Sequence, residues 1–119
     1  MARVVVTGAA SSLGRKVVTL LAARDDVDSV VAVDLRAARV PGAEVRQLDL
    51  VTHDLGPAFA GADSVVHLAS VFGPALEGPE IEGALEVTMA RRVLAAAHDA
   101  GVSRVVVLSS ATVYGPWAN

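Results

Sequence analysis

The residues best placed to do chemistry come early, in Thr7-Gly8-Ala9-Ala10-Ser11-Ser12-Leu13-Gly14, directly after the apolar run Val4-Val5-Val6. Gly8 permits a tight turn out of a strand, and Gly14 permits a following helix to pack closely on the sheet. The first turn of such a helix offers N–H groups that lack intrahelical acceptors, together with the positive end of the helix dipole. Both suit a pyrophosphate, so Thr7, Gly8, Ser11, Ser12, Leu13 and Gly14 form a candidate phosphate turn. Glycine- and serine-rich strand ends without a ligand are common, so the turn alone is weak. Asp34 strengthens it, ending a second apolar run about 20 residues past Gly14, where an acid accepts hydrogen bonds from an adenine-linked ribose diol. The same residue type also serves simply to cap a strand. The charge of Asp34 would repel a 2′-phosphate, which favours NAD over NADP. Arg15 and Arg36 pull the other way, since either could pair with a phosphate.

The chain has 119 residues, one domain with a single core. Its hydrophobic fraction of 53% with only 3% aromatic residues suits a buried parallel sheet flanked by small-residue helices. A net charge of −3 argues against a nucleic-acid or anionic-membrane surface. No apolar stretch is long enough to span a bilayer, and the N-terminus enters a strand directly instead of reading as a signal peptide. With no cysteine, disulfides and thiolate catalysis are excluded and a cytoplasmic address is expected. No cluster of His, Asp and Glu has metal-ligand spacing.

Strands and helices alternate. Strands are expected at Arg3 to Thr7, Ser29 to Asp34, Val45 to Leu48, Ser64 to Leu68 and Arg104 to Ser109. A helix is expected from Ser12 to Ala23, with Leu13, Val17, Leu20, Leu21 and Arg24 on its apolar stripe. A weak helical segment covers Asp54 to Ala60, with Pro57 tolerated near its start. After a loop with Gly73, Pro74, Gly78 and Pro79, a long helix runs from Pro79 to Ala100. Its stripe is Ile81, Leu85, Met89, Val93, Ala96 and Ala100, and Gly101 is its C-cap. Such alternation predicts an α/β fold: a doubly wound, Rossmann-like parallel sheet of about five strands, order 3-2-1-4-5, in three α/β/α layers.

The turn, Asp34, Asp49-Leu50, His67-Leu68-Ala69-Ser70 and Ser109-Ser110-Ala111-Thr112-Val113-Tyr114-Gly115 occur in that order. In this combination the chain resembles the N-terminal part of an extended short-chain dehydrogenase/reductase, the NAD-dependent epimerase/dehydratase family. The resemblance covers essentially the whole chain, and it implies a fragment of a longer enzyme. Thr7, Gly8 and Gly14 match the family's glycine signature, whose middle glycine falls on Ser11. There a side chain either donates a hydrogen bond to the pyrophosphate or crowds it. Asp49 and Leu50 match the pair flanking the adenine, the acid bonding its exocyclic amine; Asp49 also reads as a turn residue. Leu68, Ala69 and Ser70 match the strand end beneath the cofactor. Leu35 and Arg36 after Asp34, and Leu108 with Ser109 at the end of strand five, complete the implied cofactor site. His67 is expected to make a core hydrogen bond, not to do acid–base work. The family's helix asparagine falls on Glu86.

Ser110 matches the family's catalytic serine; Ser109 and Ser110 also read as mere strand terminators. The family's reactive tyrosine is followed four residues later by lysine, which lowers the phenol pKa. Tyr114 is followed by Ala118 at that spacing, and Lys16 is the only lysine, so the pair is not formed within these 119 residues. His53, His98 and the pair Arg91-Arg92 read as solvated surface. The resemblance therefore implies the NAD-binding portion of a sugar-nucleotide epimerase, dehydratase or related oxidoreductase, inactive by itself. A non-catalytic NAD(P)-binding sensor and a cofactor-free interaction module remain open alternatives. The implied partner is a dinucleotide, with no nucleic acid and no membrane. The apolar strand Val105-Val106-Val107-Leu108 and the long helix are candidate surfaces for homo-oligomerisation.

Overall fold

A computed structural model of the chain describes residues 2–37, 39–70 and 79–108, with side chains from residue 83 onward in the last stretch. Its elements in chain order are β1 (Ala2–Thr7), α1 (Ser12–Ala22), β2 (Val27–Asp34), β3 (Glu44–Gln47), α2 (Gly56–Phe59), β4 (Ser64–His67), α3 (Pro79–Asp99) and β5 (Arg104–Val107). All pairings are parallel, and the strand order is β3-β2-β1-β4-β5. The fold class and strand order are those expected from the alternation. The bounds differ by a residue or two, and the expected extension of β5 to Ser109 falls outside the described residues.

The valine runs of β1 and β2 follow from burial on both faces. Val4, Val6, Val30 and Ala32 point to one face and pack with Val18, Val17 and Leu21 of α1. Val5, Val31 and Val33 point to the other and join Val65, Phe59 of α2, and Met89, Val93 and Ala97 of α3. Successive residues of one strand thus serve different layers, so no polar alternation appears in the sequence. The short helix α2 is trimmed at both ends relative to the expected segment. The Asp54 carboxylate accepts from the Gly56 N–H at 2.9 Å, Pro57 lies in the first turn, and Ala60 leaves the helix at ψ 128°.

The α1 stripe departs from expectation. Leu13 and Leu20 are 46% and 69% exposed, whereas Gly14 and Val18 are buried. The turn supplies the reason. A Cβ on Gly14 would stand 2.1 Å from the carbonyl oxygen of Gly8. The helix can approach so closely only with its bare Gly14 facing inward, and this rotation carries Val17, Val18 and Leu21 onto the sheet. On α3 the expected stripe holds: Met89 and Val93 are buried, and Ala96 and Ala100 pack against the same core. Ile81 lies where side chains are not described. Gly101, at φ +73°, ends α3 and donates its N–H to the His98 carbonyl at 3.1 Å.

β1, β2 and β3 lie successively outward on one side, and β4 then starts on the other side of β1. This reversal of direction opens a crevice at the carboxyl ends of β1 and β4. Register aligns those ends, with Thr7 opposite both Val33 and His67, Asp34 opposite Gln47, and His67 opposite Val107.

Two glycine substitutions separate this contact from ordinary helix propensity. Gly14→Ala forces a methyl against a backbone carbonyl and is expected to lower stability by about 3 kcal/mol in urea unfolding. Gly83→Ala in α3, where a Cβ would meet nothing within 4 Å, is expected to raise it by up to about 1 kcal/mol.

Candidate dinucleotide cleft

At the switch point lies a cleft of about 860 Å³. The end of β1 and the start of α1 contribute Gly8, Ser11, Ser12 and Leu13. Asp34, Leu35 and Arg36 come from the end of β2, Leu48 to Val51 from the turn after β3, and Leu68, Ala69 and Ser70 from the end of β4. Leu85, Met89 and Leu108 complete it. The structure therefore brings together, on one cleft, all the expected site residues among those described, with two exceptions. Thr7 and Gly14 are buried beneath it. Ser109, Ser110 and Tyr114 lie outside the described residues.

The glycine turn is held from within. Gly8 takes φ +69°, and a Cβ there would meet the Ala69 nitrogen at 2.6 Å. Ser11 is the N-cap of α1 at φ −70° and ψ 163°, a conformation that any residue adopts. Its hydroxyl donates to the Gly8 carbonyl at 2.7 Å and accepts from the Gly14 N–H at 3.0 Å. Without a ligand, the hydroxyl expected either to donate to a pyrophosphate or to crowd it is turned back into the turn. The N–H groups of Ser12 and Leu13, in the first helical turn, precede any intrahelical acceptor, as anion recognition requires.

Asp34 ties this turn to β2. One carboxylate oxygen accepts from the Ala10 N–H at 2.9 Å; the other accepts from the Arg36 N–H at 2.8 Å and from Arg36 Nε at 3.4 Å. Its side chain is only 10% exposed. The Arg36 guanidinium is therefore drawn toward Asp34. Arg15 donates from Nε to the Ala10 carbonyl at 3.2 Å.

Beneath the cleft, the register that sets Thr7 beside His67 produces a buried hydrogen bond of 2.6 Å between Thr7 Oγ1 and His67 Nδ1. Thr7 Oγ1 also accepts from the N–H groups of Leu68 at 3.1 Å and Ala69 at 3.2 Å. A hydroxyl has two lone pairs and one proton, so the proton goes to Nδ1, and His67 is the neutral imidazole with its own proton on Nε2. His67 is thus a core residue, as expected. Burial holds its pKa below the usual value of 6.5, with the nearby Glu86 charge opposing. Glu86 of α3 accepts a short hydrogen bond from the Ser70 hydroxyl at the β4 side of the cleft.

His53 is exposed, as expected, while Arg92 is half-buried and departs from the surface reading. His53 Nδ1 accepts from the Asp49 N–H at 2.7 Å. Arg92 donates from Nε to the Leu50 carbonyl at 2.6 Å and from Nη2 to the His53 carbonyl. Arg92 is therefore a tie between α3 and the turn after β3. The wall residues Leu48, Val51, Leu85 and Met89 were also missed as site residues. The signal for Leu85 and Met89 was the apolar stripe of α3, which reads as core. Among the described residues, no group of three His, Asp or Glu side chains is placed to hold a metal ion. No helix there is long and apolar enough to cross a membrane.

The model of the NAD dependent epimerase/dehydratase family matches residues 4–119, and the chain belongs to that family. Comparison with curated proteins gave no match. Among solved structures, a short-chain dehydrogenase/reductase superfamily protein from Agrobacterium tumefaciens with bound NAD is 34% identical, with a TM-score of 0.82 over 95% of this chain and 34% of its own. MoeE5 in complex with UDP-glucuronic acid and NAD is 36% identical, with a TM-score of 0.81 over 95% of this chain and 38% of its own. A UDP-galactose 4-epimerase is 33% identical, with a TM-score of 0.80 over 98% of this chain and 41% of its own. The chain thus spans well under half the length of these proteins.

The neutral state of His67 has a measurable consequence. Below about pH 6.5 the unfolded chain takes up a proton that the folded chain resists, so stability is full above that pH and falls as pH drops toward the lowered folded value. Urea unfolding at pH 7.5 and 5.5 is expected to show a lower midpoint at 5.5. The decline should be smaller in His67→Asn, which does not titrate.

Proposed function

We propose that this chain is the NAD-holding portion of an epimerase/dehydratase-type oxidoreductase. The observation that carries the reading is the juxtaposition at one cleft of the free first-turn N–H groups of α1 and the Asp34 carboxylate. Glycine at positions 8 and 14 leaves the backbone bare there, since a Cβ at either would strike neighbouring backbone. This cradle fits a dinucleotide. Ser12 and Leu13 would bind the pyrophosphate through their N–H groups, and Gly8 would let it approach. Asp34 would accept from the adenosine ribose. Asp49 and Leu50 would flank the adenine, the acid accepting from its exocyclic amine. Leu68, Ala69 and Ser70 would underlie the remaining half, toward Leu108. When bound, NAD supplies hydride acceptance and donation. The chain's own part is to bind and orient it and, through Leu13, Leu50, Leu85 and Met89, to shed water from it.

In this reading Ser110 touches substrate, and a tyrosine–lysine pair acts from outside these residues. Sugar nucleotides are the favoured substrate class, in keeping with the UDP-glucuronic acid held by the similar MoeE5 and with the name of the similar UDP-galactose 4-epimerase. A cytoplasmic setting, and self-association through α3 or the half-exposed Val106, Val107 and Leu108 of the β5 edge, belong to the same proposal. A second reading is a module that binds NAD without chemistry. Both readings require the cleft to bind.

Calorimetry is expected to show NAD binding by the 119-residue chain; no heat at millimolar NAD would overturn the proposal. Asp34→Asn removes the charge and keeps one of the two acceptor oxygens, and is expected to shift the NAD-to-NADP preference about tenfold toward NADP. An unchanged ratio would place cofactor choice with Arg15 or Arg36. The chain alone is expected to produce no NADH with any sugar nucleotide, followed at the nicotinamide absorbance. Steady turnover would refute the need for an external tyrosine–lysine pair.

A further inference from the structure

One wall of the cleft is a turn, not a strand or helix: Leu48, Asp49, Leu50 and Val51, following β3. Its shape is set from within. Asp49 Oδ1 accepts from the Val51 N–H at 2.9 Å, and the Asp49 carbonyl accepts from the N–H groups of Thr52 at 3.3 Å and His53 at 3.0 Å. His53 Nδ1 closes the turn by accepting from the Asp49 N–H. These bonds give the turn a conformation but do not tie it to another element. Leu48, at its start, donates its N–H to the Asp34 carbonyl of β2 at 2.9 Å; beyond it, Leu50, 6% exposed, and Val51 pack on the core through apolar contact.

Arg92 supplies a directional tie. Its guanidinium reaches from α3 to the carbonyls of Leu50 and His53, partners 42 and 39 residues away in sequence. Such bonds from a charged donor are stronger than neutral ones, and the planar fork can serve two acceptors at once, which a lysine ammonium on its flexible stem does less well. The same helix carries Leu85 and Met89 into the cleft and Met89, Val93 and Ala97 into the core. Arg92 therefore references the turn to the rigid layer beneath the sheet.

We propose that Arg92 is a positioning residue for the adenine end of the cleft. By holding the Leu50 and His53 carbonyls it fixes where Asp49 and Leu50 stand, and so sets how well the chain tells an amino-purine from an oxo-purine. This inference rests on the cofactor reading above and adds a residue that acts without touching the ligand.

The test uses the 119-residue chain with two dinucleotides, NAD and nicotinamide hypoxanthine dinucleotide, which differ only at the purine 6-position. The parent chain is expected to prefer NAD. Arg92→Leu is expected to shrink that preference several-fold while lowering NAD affinity about tenfold, the scale of one lost charge-assisted hydrogen bond. Arg92→Lys should fall between, and guards against a leucine variant that fails to fold. General destabilisation would weaken both ligands equally, so an unchanged preference in the folded variants overturns the proposal and leaves the cofactor reading standing. A parent that binds neither dinucleotide overturns both. Amide hydrogen exchange without ligand is the second readout. The N–H groups of Val51, Thr52 and His53 are expected to exchange faster in Arg92→Leu relative to those of β1, and unchanged rates overturn the clamp itself.

Discussion

Among the described glycines, the tightest site for a side chain is Gly14, where two stretches of backbone meet. The first turn of α1 sits on the carbonyl of Gly8, with space at Gly14 for a hydrogen but not for a methyl. Much of the rest follows from that contact. It sets the rotation of α1, and thereby selects Val17, Val18 and Leu21 to cover the sheet and leaves Leu13 at the mouth of the cleft. It also brings the start of α1, with its unpaired N–H groups, to the end of β1, where an anion can be met by backbone and dipole together.

Around that contact the cleft is stiffened by polar groups acting within the protein. The Thr7 hydroxyl uses all of its hydrogen-bonding capacity on His67, Leu68 and Ala69. It thereby fixes the strand end against which Gly8 packs. The Ser11 hydroxyl binds the two ends of its own turn, and the Asp34 carboxylate joins that turn to β2. Serine is compatible at position 11 because its backbone is extended and its oxygen caps the Gly14 N–H, a donor without an intrahelical acceptor. A Rossmann cleft is usually discussed for what it offers a ligand. Here the same side chains are also what keeps the cleft open in a preset shape, lowering the ordering that binding must bring about.

The two ends of the cleft are constrained differently. The end at β1 and α1 is built from adjacent parallel strands and a helix start, all held by the sheet ladder. The end at Leu48 to Val51 is a turn beyond a four-residue strand at the sheet edge. There the ladder offers no second neighbour, and beyond the Leu48 N–H bond to the Asp34 carbonyl position depends on Leu50 burial and on a guanidinium from a helix distant in sequence.

Local pattern and spacing sufficed for the elements and the sheet order, and they pick out most of the residues that line the cleft. Valine runs broken by Gly and Asp leave little choice but buried parallel strands, and the glycine turn with Asp34 points to the switch point without any tertiary knowledge. What only the folded structure decided are matters of rotation and distance. The apolar side chains of α1 are compatible with more than one stripe, and only the Gly8–Gly14 contact chooses between them. Ser11 reads equally as donor, obstacle or cap until its hydroxyl is seen between Gly8 and Gly14. Asp49 reads as ligand-facing or as a turn residue, and the structure places it on the cleft while one of its oxygens holds Val51. Arg92 looks like helix surface because its acceptors are backbone carbonyls, which every residue has. A carbonyl acceptor leaves no mark in the sequence, so only three-dimensional proximity reveals it.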